Sequence, residues 1–172
     1  MTNILAVDAS LTSTGICMSD MLPFRLIPPK GVMGMPRLRW FKGEIHRLLQ
    51  LHDIDLMIIE GYAFGAKGRV FTIGELGGVV KLVAWELGID IMVTPPSTLK
   101  KFTTGLGNAN KEAMLKAVHD NWGYLTFQND EADAYALYKF AERSQDRKWK
   151  RTTQGLSLVG KCEYIIAEGS CN

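Results

Sequence analysis

The sequence predicts an α/β protein built on one mixed sheet, an antiparallel meander followed by parallel strands, flanked by helices. Three observations carry this. Ile4-Leu5-Ala6-Val7 and Leu56-Met57-Ile58-Ile59 are short, continuous apolar runs, the pattern of strands buried on both faces. Helical periodicity separates the later strand candidates, and that alternation builds parallel pairing. The first run, by contrast, is followed at close range by two more strand candidates, which makes the opening antiparallel.

The 172 residues suit one domain with a proper core. Hydrophobic content of 47%, charged content of 22% and a net charge of +2 are ordinary for a globular chain, so total charge does not mark a polyanion binder. Cys17, Cys162 and Cys171 are too scattered for a zinc site, and an odd count argues against a disulfide framework. No apolar run approaches the length that crosses a bilayer, and the first residues lack a signal-peptide pattern. The expected setting is therefore cytoplasmic, with reduced thiols and no membrane partner.

Taken in order, the first strand ends in Asp8 and gives way to the turn-prone Ala9 to Gly15. Ile16 to Ser19 and Phe24 to Ile27 supply the rest of the meander. Pro36 opens a helix whose Leu38, Phe41, Ile45, Leu48, Leu49 and His52 share a face. The second buried strand ends in Glu60. A glycine-rich loop follows, carrying Tyr62, Phe64, Lys67 and Arg69. Exposed aromatics and cations on such a loop suit base stacking, and packing beneath the loop is the equal alternative. The loop lacks the Gly-Lys-Ser/Thr ending of a phosphate-binding P-loop.

Ile73 to Leu87 keeps helical spacing despite Gly77-Gly78, which implies close packing against a neighbour. Ile89 to Val93 is a further strand, stopped by Pro95-Pro96. Ser97 to Phe102 makes a helical turn, and the loop Thr103 to Asn110 leads to a helix beginning at Lys111. Lys100, Lys101, Lys111 and Lys116 gather positive charge beside that loop, either as a phosphate-contacting surface or as ordinary solvated lysines. Asn129 to Leu137 reads as the first turns of a helix, with Asp130 and Asp133 on one face. Acids there also suit helix capping. Beyond residue 143 the composition turns basic around Trp149, so residues 1–143 are expected to form the domain and 144–172 a basic extension that contacts nucleic acid or a partner.

In mixed sheets, groups at strand ends gather at one edge. Asp8, Glu60, Asp130 and Asp133 converging there would repel one another unless a cation sat between them. All-oxygen ligands select hard ions such as Mg²⁺ or Mn²⁺. Two such ions can drive phosphodiester cleavage.

These pieces in this order resemble the RuvC family of Holliday-junction resolvases, within the RNase H-like superfamily. The resemblance rests on Ile-Leu-Ala-Val-Asp8 with its hairpin through Gly15, and on Ile-Ile-Glu60 with its aromatic-bearing loop. It rests also on Thr104-Gly105-Leu106-Gly107 before Lys111, with Lys100 upstream, and on Asp130-Glu131-Ala132-Asp133-Ala134. It implies an RNase H-like mixed sheet. Asp8, Glu60, Asp130 and Asp133 would be catalytic metal ligands for two Mg²⁺ (or Mn²⁺) ions, Lys111 a catalytic phosphate contact, and Lys100 and Lys101 DNA contacts. Tyr62 or Phe64 would stack on bases at the branch point, and Lys67 and Arg69 on the same loop would contact the DNA. It further implies a homodimer nicking opposed strands of a four-way junction. The helix from Ile73 to Leu87 is the candidate interface, since Gly77 and Gly78 permit close approach.

Two departures bear on substrate. The chain has Asp8-Ala9-Ser10 where the family usually has Asp-Pro-Gly, and its aromatic after Glu60 is offset by one residue. Both resemble divergent phage-encoded members. The rival readings are a ribonuclease H acting on RNA–DNA hybrids and a non-catalytic junction-binding protein. An actin-like kinase would need two related domains, more chain than 172 residues supply.

Overall fold

In the computed structural model, which describes residues 2–61 and 70–167, six strands form one sheet in the order β3-β2-β1-β4-β5-β6. β1 (Ile4–Asp8), β2 (Thr14–Met18) and β3 (Met21–Leu26) are the antiparallel meander, with Asp8 opposite Gly15. β4 (Leu56–Glu60) pairs parallel with β1, and β5 (Asp90–Thr94) parallel with β4. The carboxyl ends of β1, β4 and β5 therefore share one sheet edge.

Side chains alternate across a strand, and the two cores follow that parity. Leu5, Val7, Met57 and Ile59 enter the core beneath α1 (Gly34–Leu51) and α2 (Val70–Glu86). Ile4, Ala6, Leu56 and Ile58 enter the opposite core, with α3 (Pro96–Thr104), α4 (Lys111–Trp122) and α5 (Asn129–Gln145). Asp8 and Glu60 continue the second series. Both strand-end carboxylates thus fall on the α5 side of the sheet.

On α1, Leu38, Phe41, Ile45, Leu48 and Leu49 are buried as the spacing predicts. His52 caps that helix and meets Asp20 at 3.1 Å. On α2, Leu76, Val80, Val83 and Ala84 are buried, while Leu82 is 50% and Trp85 38% exposed. Among the described residues, Cys17 and Cys162 are free thiols, and no helix is long and apolar enough to cross a membrane.

The structure corrects the boundary expected at residue 143. α5 runs through it to Gln145, followed by α6 (Arg147–Lys150), α7 (Thr153–Val159) and β6 (Glu163–Ile165). β6 adds antiparallel to β5, so the segment through Ile165 completes the sheet and is no appendage. Trp149 is buried, its ring 5.9 Å from that of Phe102 and 6.1 Å from that of Phe140. The apolar Trp149 in the middle of the basic run is the physical reason: it gains far more by burial than the lysines around it lose by staying at the surface. Trp149→Ala should therefore lower the free energy of unfolding by about 3–5 kcal/mol, measured by urea denaturation. An effect below about 1 kcal/mol would return the segment to appendage status.

Candidate active site

Three local devices position the acidic residues. After Asp8, the turn is closed by Thr14, whose hydroxyl donates to the Ser10 carbonyl at 2.7 Å and accepts from the Ser10 N–H at 3.2 Å. This bonding does the work a Pro-Gly turn would otherwise do. Second, α5 lies directly on β2 at Gly15. A Cβ there would stand 1.9 Å from the Asp130 carbonyl oxygen and 3.1 Å from the Ala134 Cβ. Third, Glu131 anchors the start of α5. It accepts from Thr126 Oγ1 at 2.7 Å and Tyr124 OH at 3.2 Å, and faces Arg25 Nε of β3 at 3.5 Å. Asp130 and Asp133 are left to face Asp8 and Glu60. Capping does not claim them, since the N-cap is Gln128 with no side-chain cap bond.

The lysines come from the other side. Gly105 ends α3 in the left-handed conformation (φ 84°), and Gly107 passes so near the Ser97 carbonyl that a Cβ would stand 3.2 Å from it. Asn110 Oδ1 then accepts from the Ala113 N–H at 2.9 Å, capping α4 and placing Lys111 at its first position. The Gly-x-Gly segment is thus the bend between the two lysine-bearing helices.

Electrostatics shows that these groups are neighbours. The Asp8 carboxyl is pushed well up, first by burial and then by Glu60, Asp133 and Asp130, with Lys111 opposing. Glu60 is raised to about 7 by burial and Asp133, against Lys100. Asp133 is raised to about 6 by burial, with Lys100 opposing, Asp130 adding and Lys111 opposing. Lys101, one residue on, is exposed and is not among the groups acting on these carboxyls. Tyr62, Phe64, Lys67 and Arg69 lie outside the described residues.

Among the described residues, no three His, Cys, Asp or Glu side chains are gathered at spacing that would hold a metal ion. None of the four carboxylates has an ion pair or side-chain hydrogen bond among them either. Carboxylates that raise one another's pKa without a bonded protein cation are a donor set that a hard divalent ion would relieve, and the chemistry fits one.

The acids and two of the lysines that stand out in the sequence are neighbours at this edge, whereas the contact at Gly15 and the anchoring of Glu131 leave no such mark. Both depend on partners distant in the chain, and only the adjacency of Glu131 to Asp130 hinted at the second.

A mixed sheet with acids at the ends of β1 and β4, and a helix carrying two more across the meander, is the RNase H-like fold. The family model for the crossover junction endodeoxyribonuclease RuvC matches residues 29–137, and the chain belongs to that family. Nucleases of this family depend on divalent metal ions. The RuvC of Gloeobacter violaceus is 33% identical over 103 residues, covering 59% of this chain and 60% of the relative. That of Paenarthrobacter aurescens is 30% identical over 125 residues, 67% and 66% of the two chains. The chain thus spans about three fifths to two thirds of these curated relatives.

Among solved structures, Thermus thermophilus RuvC superposes with a TM-score of 0.68 at 16% identity, over 95% of this chain and all of that one. The same protein in complex with a Holliday junction substrate gives 0.66 at 16% identity, over 80% of this chain and 90% of that one. The yeast mitochondrial Holliday junction resolvase gives 0.52 at 13% identity, over 79% and 75%. These structural likenesses establish the fold.

Proposed function

We propose that this protein is a metal-dependent endonuclease that nicks branched DNA in the cytoplasm, resolving four-way junctions by paired symmetric cuts as a homodimer. The observation that carries it is that Asp8, Glu60, Asp130 and Asp133 lie at one sheet edge near enough to act on one another, with Lys100 acting on Glu60 and Asp133 and Lys111 on Asp8 and Asp133.

The four carboxylates would hold two Mg²⁺ or Mn²⁺ ions, which supply an activated water and stabilise the leaving oxygen of a phosphodiester. The chain's own groups do the rest. Lys111, fixed at the first position of α4, neutralises charge building on the phosphate oxygens. Lys100 holds the same strand beside Glu60. Glu131 keeps the start of α5 from moving as the substrate docks. Lys101, Lys67 and Arg69 add phosphate contacts, and Tyr62 or Phe64 stacks on bases opened at the branch.

For assembly, Gly78, Leu82 and Trp85 are exposed at helical spacing on α2, and a Cβ at Gly78 would meet nothing within 4 Å. A second copy packed there would bury both apolar side chains and set two sites for opposed strands.

The test offers four-way, three-way, flap and RNA–DNA hybrid substrates side by side with Mg²⁺ or Mn²⁺, with light scattering at micromolar concentration. Paired nicks in the four-way junction by a particle of twice 19.2 kDa are expected. Preferential cutting of the hybrid would sink the junction reading, and paired cutting by a monomer would remove the interface on α2.

A further inference from the structure

A cavity of about 630 Å³ opens at the same sheet edge as the carboxylates, one strand further along. Gly61, the residue after Glu60, lines it, and its N–H donates to the Thr94 carbonyl at the end of β5 at 2.9 Å. Adjacent strands lie about 5 Å apart. The cavity over β5 and β6 is therefore about 5–10 Å from Glu60, within reach of the next nucleotide of a strand held there. Lys100 belongs to both places, lining the cavity and lowering the pKa of Glu60 and Asp133.

The remaining charged lining residues are Lys81, Lys161 and Glu163, and Lys100 with Lys161 already outnumbers the single carboxylate. Val93, Pro95 and Pro96 add apolar wall. The volume lies in the range of small-molecule sites and exceeds what a bare phosphate fills. Cations beside an apolar surface suit a phosphate joined to a sugar and base.

The Lys161 side chain is exposed, and it stands on a turn whose backbone is fixed. The Lys161 backbone N–H donates to the Leu158 carbonyl at 3.3 Å, and the next residue donates to that of Val159 at 3.0 Å. Cys162 Sγ then lies 3.7 Å from the Thr94 hydroxyl, which ties the turn to the end of β5. Lys161 also stands beyond residues 29–137, the stretch shared with the family model.

We infer that this cavity seats one nucleotide of the cleaved strand next to the cut, with Lys161 contacting its phosphate. The inference rests on the nuclease reading above and extends it to a substrate contact supplied by the carboxyl-terminal segment.

Junction binding is measured by fluorescence anisotropy across a salt series, with the full-length chain. Loss of one phosphate contact should make the slope of log affinity against log salt shallower by about 0.7–0.9 in Lys161→Ala, and binding about five- to eightfold weaker at about 0.1 M salt. Lys161→Arg should keep the wild-type slope, and Glu163→Gln should steepen it. Neutral methylphosphonates are then placed singly along the strand. One beside the scissile phosphate should weaken wild-type binding and add nothing to Lys161→Ala.

An unchanged slope in Lys161→Ala, or methylphosphonate losses that add in full at every position, overturns the inference while wild-type nicking of junctions leaves the nuclease reading standing. Lys161-dependent thermal stabilisation by a free deoxynucleoside monophosphate, with junction binding unchanged, would assign the cavity to a free nucleotide and likewise overturn it. Wild-type protein that neither binds nor nicks branched DNA removes both.

Discussion

Asp8→Asn is expected to reduce nicking of branched DNA by at least about a hundredfold while leaving junction binding intact and raising the melting temperature of the metal-free protein. The first effect follows if Asp8 is one of the proposed anionic ligands, since a bound ion contributes several kcal/mol to such reactions and about 1.4 kcal/mol is tenfold in rate. The second follows from the sign of the pKa shifts. Asp8, Glu60 and Asp133 all have folded-state values raised above their ordinary ones, first of all by burial. An acid of that kind contributes stability in full below its unfolded value, and loses it as pH rises through its folded value.

For Asp133 and Glu60 the folded values are about 6 and about 7. Metal-free protein should therefore lose stability between about pH 4 and pH 7, and Mg²⁺ should restore it chiefly at the upper end. Asparagine at position 8 removes one buried charge and should raise the melting temperature at pH 8 by several degrees, since about 1 kcal/mol moves a chain of this size by 2–4 °C. Scanning fluorimetry at pH 5 and pH 8, with chelator or Mg²⁺, checks each arm. A pH-independent melt with no gain in the variant would mean that the carboxylates do not strain one another.

Gly15→Ala should damage fold and activity together, because its added methyl has nowhere to go. The new Cβ would stand 1.9 Å from the Asp130 carbonyl oxygen. That atom is α5 backbone, so relief requires the helix to lift by more than 1 Å from β2. Overpacking of this kind costs about 1–3 kcal/mol and sometimes more. A displacement near 1 Å at the reacting groups costs about a hundredfold in rate. Gly43→Ala is the control: nothing lies within 4 Å of its Cβ, and alanine inside α1 should instead add about 0.5–1 kcal/mol. Urea denaturation and nicking rates measured on both variants separate the steric effect from glycine removal in general. Normal nicking by Gly15→Ala would show that the placement of Asp130 tolerates a shifted helix.

Both predictions depend on a division between local and distant causes. The strands β1, β4 and β5 were legible because a run of apolar residues needs no partner to be recognised, and their terminal Asp8 and Glu60 come with them. α1 and α5 were legible because periodicity of 3.6 is likewise local. The loop between α3 and α4 announced itself through Gly105 and Gly107, whose backbone roles other residues fill poorly.

β6 was not legible. Glu163-Tyr164-Ile165 is a short, polar-flanked edge strand that exists because β5 offers unpaired backbone groups, and no pattern within three residues encodes that. Trp149 was read as part of a basic run because lysines and arginines surround it, although its burial among Phe102 and Phe140 decides the path of the chain.

Alternation placed Asp8 and Glu60 on one face of their strands, but only the filling of the two cores decided that α5 would cover that face. The closeness of Asp130 to Asp8 then depends on the missing side chain at Gly15, and the steadiness of α5 on Arg25, Tyr124 and Thr126 meeting Glu131. The sequence by itself determined which acids and lysines were available and which elements carried them. Their distances, the raised pKa values of Asp8, Glu60 and Asp133 and the cavity beside them were decided by long-range packing, because burial and repulsion depend on neighbours the chain brings together only when folded.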